Sequence, residues 1–353
     1  MRRAIQVALA TACALTARTP HAAAQASGFA VDRFEPAQRG SDWFVNDGLD
    51  LRGAPDVAAG VVFDWSYKPV ALRGSEAPDE PSSGNVVTDR IAAHSGLSVV
   101  FHDRWRASLD LPIVLYQWGE SAARAAAGVA GLEGAALGDL RLAGDARLFG
   151  KYGDSLTGAA GVLLHLPTGS RSQLTGDGTW RVTPHLLFAG DSRGFVYAAQ
   201  LGYAFRPREG AFAGRPLGNE ALLSLAAGVR VNDMFVFGPE LFGSTVLDHD
   251  QAFSRRATPL ELLLGLHVKL ADDWQFGSAI GPGLTQGDGC PSMRVVLSVE
   301  LAPDVCVDAD GDGICAPADA CPDVDGVRTS KRSTNGCPVP KSPEAPPTTV
   351  APK

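Results

Sequence analysis

Twelve stretches of this chain alternate apolar and polar side chains with a period of two, and the connections between them alternate between short and long. The stretches centre on 57–67, 87–101, 105–117, 138–149, 156–167, 180–189, 195–206, 221–231, 235–247, 259–270, 274–285 and 292–301. In GDLRLAGDARLF (138–149), Leu140, Leu142, Gly144, Ala146 and Leu148 share one face, while Asp139, Arg141, Asp145 and Arg147 share the other. Successive side chains of a strand point to opposite faces, so this spacing predicts strands. At 260–270, Leu260, Leu262, Leu264, Leu266, Val268 and Leu270 oppose Glu261, His267 and Lys269 in the same way.

Each stretch has close to the length that a tilted strand needs to cross a bilayer. HDR (102–104), GKYGDS (150–155), GDSRG (190–194), VNDM (231–234) and ADDW (271–274) read as tight turns. Polar loops at 72–85, 118–137, 168–179, 207–219, 248–258 and 286–291 fall between them. Turns on one side and loops on the other predict an all-β fold, an up-and-down antiparallel transmembrane β-barrel of about twelve strands over 55–301. An even count puts both ends of the barrel on the turn side, which is the periplasm of a bacterial outer membrane. No apolar run approaches the length of a transmembrane helix. A soluble β-sandwich uses the same alternation, but it has no reason to sort its loops by length. Nor does it need aromatic side chains near strand ends on the apolar face, where this chain has Trp65, Tyr67, Trp105, Trp180, Phe195, Phe205 and Trp274.

Strand parity turns a mixed set of charges inward: Arg106, Arg141, Arg147, Arg181, Arg206, Arg230, Lys269 and Arg294 against Asp110, Asp145, Glu240, Glu261 and Glu300. Such a ring lines a narrow hydrated path for small solutes, which makes a porin-like protein the first functional reading. The alternative is a closed salt-bridge network in a non-conducting structural or adhesive protein. His94, His165, His185 and His267 face the same way, yet no nucleophile or metal-ligand spacing accompanies them, so catalysis is not expected.

Residues 1–26 combine Arg2 and Arg3, a short apolar stretch and the small-x-small site Ala24-Gln25-Ala26, the pattern of a secretory signal peptide. They hold three Arg and no acid, so of 31 basic and 39 acidic side chains the remainder keeps 28 and 39. An acidic chain of this kind does not suit nucleic acid as a partner; outer-membrane lipid, calcium and small solutes are the expected ones. Residues 27–54 precede the first strand as a periplasmic or plug segment.

Near the end, CVDADGDGICAPADACPDVDG (306–326) holds six Asp and three Cys. Asp308, Asp310, Asp312 and Gly313 copy the start of a calcium loop, in which oxygens at positions 1, 3 and 5 converge and Gly turns the chain. Ile314 would add its backbone carbonyl and Asp319 stands at position 12, while position 9 is Ala316. A solvated acidic linker is the plainer reading. Cys306 and Cys315 bracket the Asp run and Cys321 and Cys337 the segment after it, which suits two disulfides in an oxidising compartment better than zinc among hard carboxylates. Cys290 is left over.

These residues resemble a thrombospondin type 3 repeat, in which Asp-x-Asp-x-Asp-Gly is followed by a later Asp and Cys-Pro, here Cys321-Pro322. Joined to a barrel, and with RFEPAQRGSDWF (33–44) leading into it, the chain resembles the OmpA-family outer-membrane proteins that carry such repeats. The resemblance implies a calcium-stiffened connector (304–338) in the periplasm. In that family a peptidoglycan-binding domain comes next, whereas here PVPKSPEAPPTTVAPK follows, a Pro-rich tail.

Overall fold

The computed structural model describes residues 28–52, 56–72, 84–129, 132, 134–207, 210–212, 215–232, 234–247, 252–255, 257–270, 273–285, 287–303, 310–312, 314, 319–329, 331 and 333–338. The expected signal peptide, Asp308, Cys306, Cys315 and most of the Pro-rich tail lie outside the described residues.

Twelve strands make the wall: β1 (Asp56–Leu72), β2 (Gly84–Phe101), β3 (Trp105–Trp118), β5 (Leu140–Phe149), β6 (Thr157–Leu166), β7 (Arg181–Ser192), β8 (Phe195–Ala204), β11 (Glu220–Val231), β12 (Phe235–Val246), β13 (Leu260–Leu270), β14 (Trp274–Gly281) and β15 (Met293–Leu301). Each pairs antiparallel with the next, and β1 pairs with β15 from Ala59↔Leu301 to Tyr67↔Met293, which closes the barrel. Closure leaves no strand edge, as a wall in lipid requires. Three short strands were not expected from the sequence: β4 (Ala136–Leu137) pairs with the loop end of β3, and β9 (Gly210–Phe212) pairs with β10 (Arg215–Leu217) in a separate hairpin. The 118–137 loop also holds a helix of one and a half turns, α1 (Ser121–Ala126).

The tight turns have the backbone that right-twisted hairpins demand. His102 and Asp103 both have positive φ, 56° and 50°, and Arg104 N–H donates to the Phe101 carbonyl. Arg193 and Gly194 repeat the arrangement between β7 and β8 at 55° and 85°. Two consecutive positive φ angles define the primed turn whose twist matches the strands it joins.

Outward-facing apolar side chains stay uncovered: Leu109, Leu201, Leu223, Phe237, Leu264 and Leu297 are between 41 and 54 % exposed. The apolar core lies inside the barrel, between the wall and residues 28–52. Near the loop end, Phe29 and Val31 pack with Val70, Val86, Leu174 and Phe212. At mid-height, Phe34 and Phe44 pack with Val62, Phe242, Leu263 and Val296. Towards the turn end, Trp43 and Leu49 pack with Leu187, Val196, Ala198 and Val236. Burying one such side chain stabilises by roughly 2 kcal/mol, so residues 28–52 are a packed interior plug rather than a solvated leader.

At the C-terminal end the disulfide Cys321–Cys337 is formed, with Cα atoms 5.0 Å apart. Cys290 is a free, buried thiol whose Sγ contacts the carbonyls of Leu260 and Thr285.

Candidate functional site

The plug enters from the loop end, folds back at 37–44, where Ala37 N–H donates to the Phe44 carbonyl at 2.8 Å, and leaves at the turn end towards Asp56. None of residues 28–52 belongs to a strand. Besides the apolar clusters, it meets the wall through hydrogen bonds and a series of ion pairs. Asp32 meets Arg294 at 3.4 Å and Arg90 at 3.7 Å; Arg33 meets Glu220 at 2.9 Å. Glu35 meets Arg181 at 2.6 Å and His165 at 3.0 Å; Arg39 meets Asp110 at 2.6 Å. Asp42 meets Arg230 at 2.7 Å and Asp47 meets Arg106 at 2.8 Å.

The wall makes room for these groups with glycine. A Cβ on Gly96 would lie 2.5 Å from Arg39 Nε, and one on Gly277 would lie 2.7 Å from Phe44 Cζ. Phe44 packs against His267 with ring centroids 4.2 Å apart and planes inclined by 33°, and the Arg294 guanidinium lies 5.0 Å from the centre of the Phe34 ring. A buried guanidinium can be retained only where anions or ring faces replace its water.

The charges that parity turned inward occupy distinct places. Arg106 holds Asp145 at 2.8 Å as well as Asp47, and Asp145 also meets His185 at 2.8 Å. Arg141 meets Asp110 at 2.8 Å and reaches the Pro36 carbonyl at 3.4 Å. Arg294 is fully buried and meets Glu261 at 2.9 Å and Asp64 at 3.0 Å. Arg230 holds Asp191 at 3.2 Å; Arg206, beyond the end of β8, meets Asp177 and Glu220 at 3.3 and 3.4 Å. Glu300 accepts from Gly40 N–H at 2.8 Å. Lys269 borders a small cavity at the turn end. Arg147 is not brought into the lumen network: it sits at a register shift near the turn end, and its guanidinium donates to the Asp103 carbonyl.

The ring expected to surround a hydrated path therefore meets the plug. Cavities of about 70 and 50 Å³ remain on either side of Glu35, and a recess of about 660 Å³ opens at the loop end beside Leu72, Asn85 and Thr285. Sequence reasoning did not identify Asp64, Glu220 or the plug side chains Asp32, Arg33, Glu35, Arg39, Asp42 and Asp47 as lumen groups. A signal was present: 29–52 mixes Phe, Trp and Leu with paired charges, a composition suited to burial against a charged wall.

At the turn end Tyr152 packs against the plug. Its hydroxyl donates to Asp42 at 3.1 Å, and its ring lies between Arg52 at 4.4 Å and Arg230 at 5.2 Å. Beyond the barrel, carboxylate oxygens of Asp310, Asp312 and Asp319 approach within 4.8 Å of one another. Asp312 accepts from Ile314 N–H at 2.8 Å and from Gly326 N–H at 3.2 Å, and Ile314 is buried.

Residues 75–288 match the family described as "Putative MetA-pathway of phenol degradation". No curated protein matches the chain. Among solved structures, the COG4313 outer membrane channel from Pseudomonas putida F1 superposes with a TM-score of 0.55 at 14% identity, covering 72% of this chain and 97% of that one. The NanC porin covers 71% of this chain and 100% of its own at 12% identity, with a TM-score of 0.42. A mutant of TodX, a monoaromatic hydrocarbon channel, covers 78% and 99% at 12% identity, also with a TM-score of 0.42; the latter two likenesses are too loose to carry an argument.

The family match, together with the barrel's likeness to the first of these, overturns the resemblance to OmpA-family proteins. That resemblance rested on two short stretches. One of them, 33–44, is the middle of the plug, and its residues answer to the lumen of this barrel.

Proposed function

The chain belongs to the family described as putative MetA-pathway of phenol degradation, and we propose that it is an outer-membrane channel for small solutes held shut by its own residues 28–52. The observation that carries this reading is the way the plug is attached. Wall strands are joined by continuous backbone ladders, which lipid cannot replace. The plug shares no such ladder. Its ion pairs are with groups that water can solvate once the lumen is open, so it can leave contact by contact while the wall stays closed. It remains tethered where β1 begins at Asp56, on the turn side, and the proposed movement is towards that side, the periplasm. Small organic solutes fit the family's description.

The test is single-channel conductance in planar bilayers of the wild type and of a variant lacking 28–52. The deletion is expected to raise conductance several-fold while heat-modifiable gel mobility, a property of the closed barrel, is kept. A folded deletion variant that passes no current would favour the non-conducting structural reading.

We also propose that Asp310, Asp312 and Asp319, with Asp308 and the Ile314 carbonyl, hold a calcium ion beside the barrel exit. Support comes from the close approach of three carboxylates in a loop-like spacing.

A further inference from the structure

Glu35 differs from the other plug carboxylates in what its partner has besides it. Arg106, Arg230 and Arg294 each hold a carboxylate that does not come from the plug: Asp145 at 2.8 Å, Asp191 at 3.2 Å and Asp64 at 3.0 Å. Arg181 has a weaker substitute. Its other ion-pair partner is Asp177 at 3.6 Å, which Arg206 shares at 3.3 Å, while Glu220 and Asp139 stand farther off. Glu35 Oε1 therefore lies in a socket formed by Arg181 Nη2 at 2.6 Å and His165 Nε2 at 3.0 Å.

Space adjoins the socket on both sides. Arg181 and Glu35 border both the 70 Å³ and the 50 Å³ cavity. The larger one is lined by Val45, Leu222 and Phe242 as well, which gives it an apolar lobe next to an end where Arg33 is paired with Glu220 and Arg181 with Glu35.

We infer that the Arg181–His165 socket is a solute subsite for the carboxylate of a short-chain monocarboxylate, and that Glu35 occupies it while the plug is in place. With the plug in place Arg181 stays buried, and loss of the Glu35 charge alone then leaves room at the socket for one negative charge. A planar carboxylate matches the guanidinium fork. Exchange of the Glu35 carboxylate for a solute carboxylate leaves the charge at the socket unchanged, and the apolar lobe takes the short chain. The role of this exchange in permeation rests on the channel reading, whereas binding itself is measurable without current.

The test is calorimetric titration of full-length protein in detergent with propionate, and with propionamide as the neutral isostere. Glu35→Gln is expected to bind propionate at least about ten-fold more tightly than wild type and to ignore propionamide. Adding Arg181→Gln should abolish the gain. Should Glu35→Gln lose heat-modifiable mobility, the variant lacking 28–52 serves instead, with and without Arg181→Gln. No saturable propionate heat in the folded variant, equal binding without Arg181, or equal binding of propionamide would each overturn the subsite. Propionate binding with no current in any variant would retain the subsite and remove the channel. A conducting deletion variant that binds no propionate would do the reverse.

Discussion

Glu240 of the wall and Asn46 of the plug are joined twice through one oxygen: Asn46 N–H and the Asn46 side-chain amide donate to Glu240 Oε2 at 3.0 and 3.1 Å. Phe44 and Val45 N–H add two more donors at 2.7 and 2.9 Å, so three successive backbone amides wrap one carboxylate. A cluster of this kind makes an anion-binding concavity, and each donor left orphaned inside the barrel costs roughly 1–3 kcal/mol. Glu240→Ala removes the acceptor and leaves the ladders of β12 in place. The expected outcome is a lowered melting temperature with more frequent channel openings, read from thermal melts and planar-bilayer records. Unchanged openings in a folded Glu240→Ala protein would remove this contact from the set that holds the plug.

Gly96 offers a way to move the plug without touching a charge. The three atoms nearest to a Cβ at this position all belong to the Arg39 side chain, at 2.5 to 2.9 Å. Gly96→Leu should therefore push Arg39 off Asp110 while leaving the backbone pairing Gly96↔Asp110 intact. Conductance should rise above wild type, and the further change Arg39→Ala should add little to it, because the two sites share one contact.

How far the sequence disclosed this molecule follows from periodicity. Strands that alternate, such as β13 with Glu261 and His267 on one face, disclose both their extent and their inner side. The same parity included Arg147, which the register shift at the end of β5 leaves near the turn end. The plug has no period. Asp32, Glu35 and Asp47 are defined by arginines at 294, 181 and 106, and no local spacing reports partners that distant. The short strands β9 and β10 were hidden for a related reason: a three-residue strand is too short to show alternation.

Tyr152 gives the plug a dependence on alkaline pH. Burial, and after it the Asp42 carboxylate, hold its phenol well above the ordinary value of a tyrosine. The folded state therefore keeps a proton that the unfolded chain gives up near pH 10. The resulting stability is fully present below about pH 10 and is lost as pH rises beyond it towards the folded value. Tyr152→Phe cannot ionise, so its melting temperature should fall less than that of wild type between about pH 9 and pH 11. Parallel melting curves for the two proteins across that range would contradict this assignment.

The acidic segment beyond the barrel makes the last test. Carboxylates brought this close repel one another unless a cation lies between them. Asp319 is fixed within 319–337 by the Cys321–Cys337 bridge, the hydrogen bond from Ala320 N–H to the Asn335 carbonyl at 2.8 Å and that from Cys321 N–H to Asp319 at 2.8 Å, and Gly326 of the same segment donates its N–H to Asp312 at 3.2 Å. With Ala316 in one ligand slot and Asp in place of Glu at the last, binding should fall in the weak extracellular range, about 10⁻⁴ to 10⁻³ M. Calorimetric titration of the full-length oxidised protein should show saturable calcium uptake that Asp310→Ala with Asp312→Ala removes. Reduction of the disulfide should weaken it, because Asp319 would then be free to leave the other two. Wild-type protein without saturable heat at about 10 mM calcium, on the order of ten times the upper bound of that range, would return the segment to a solvated acidic linker.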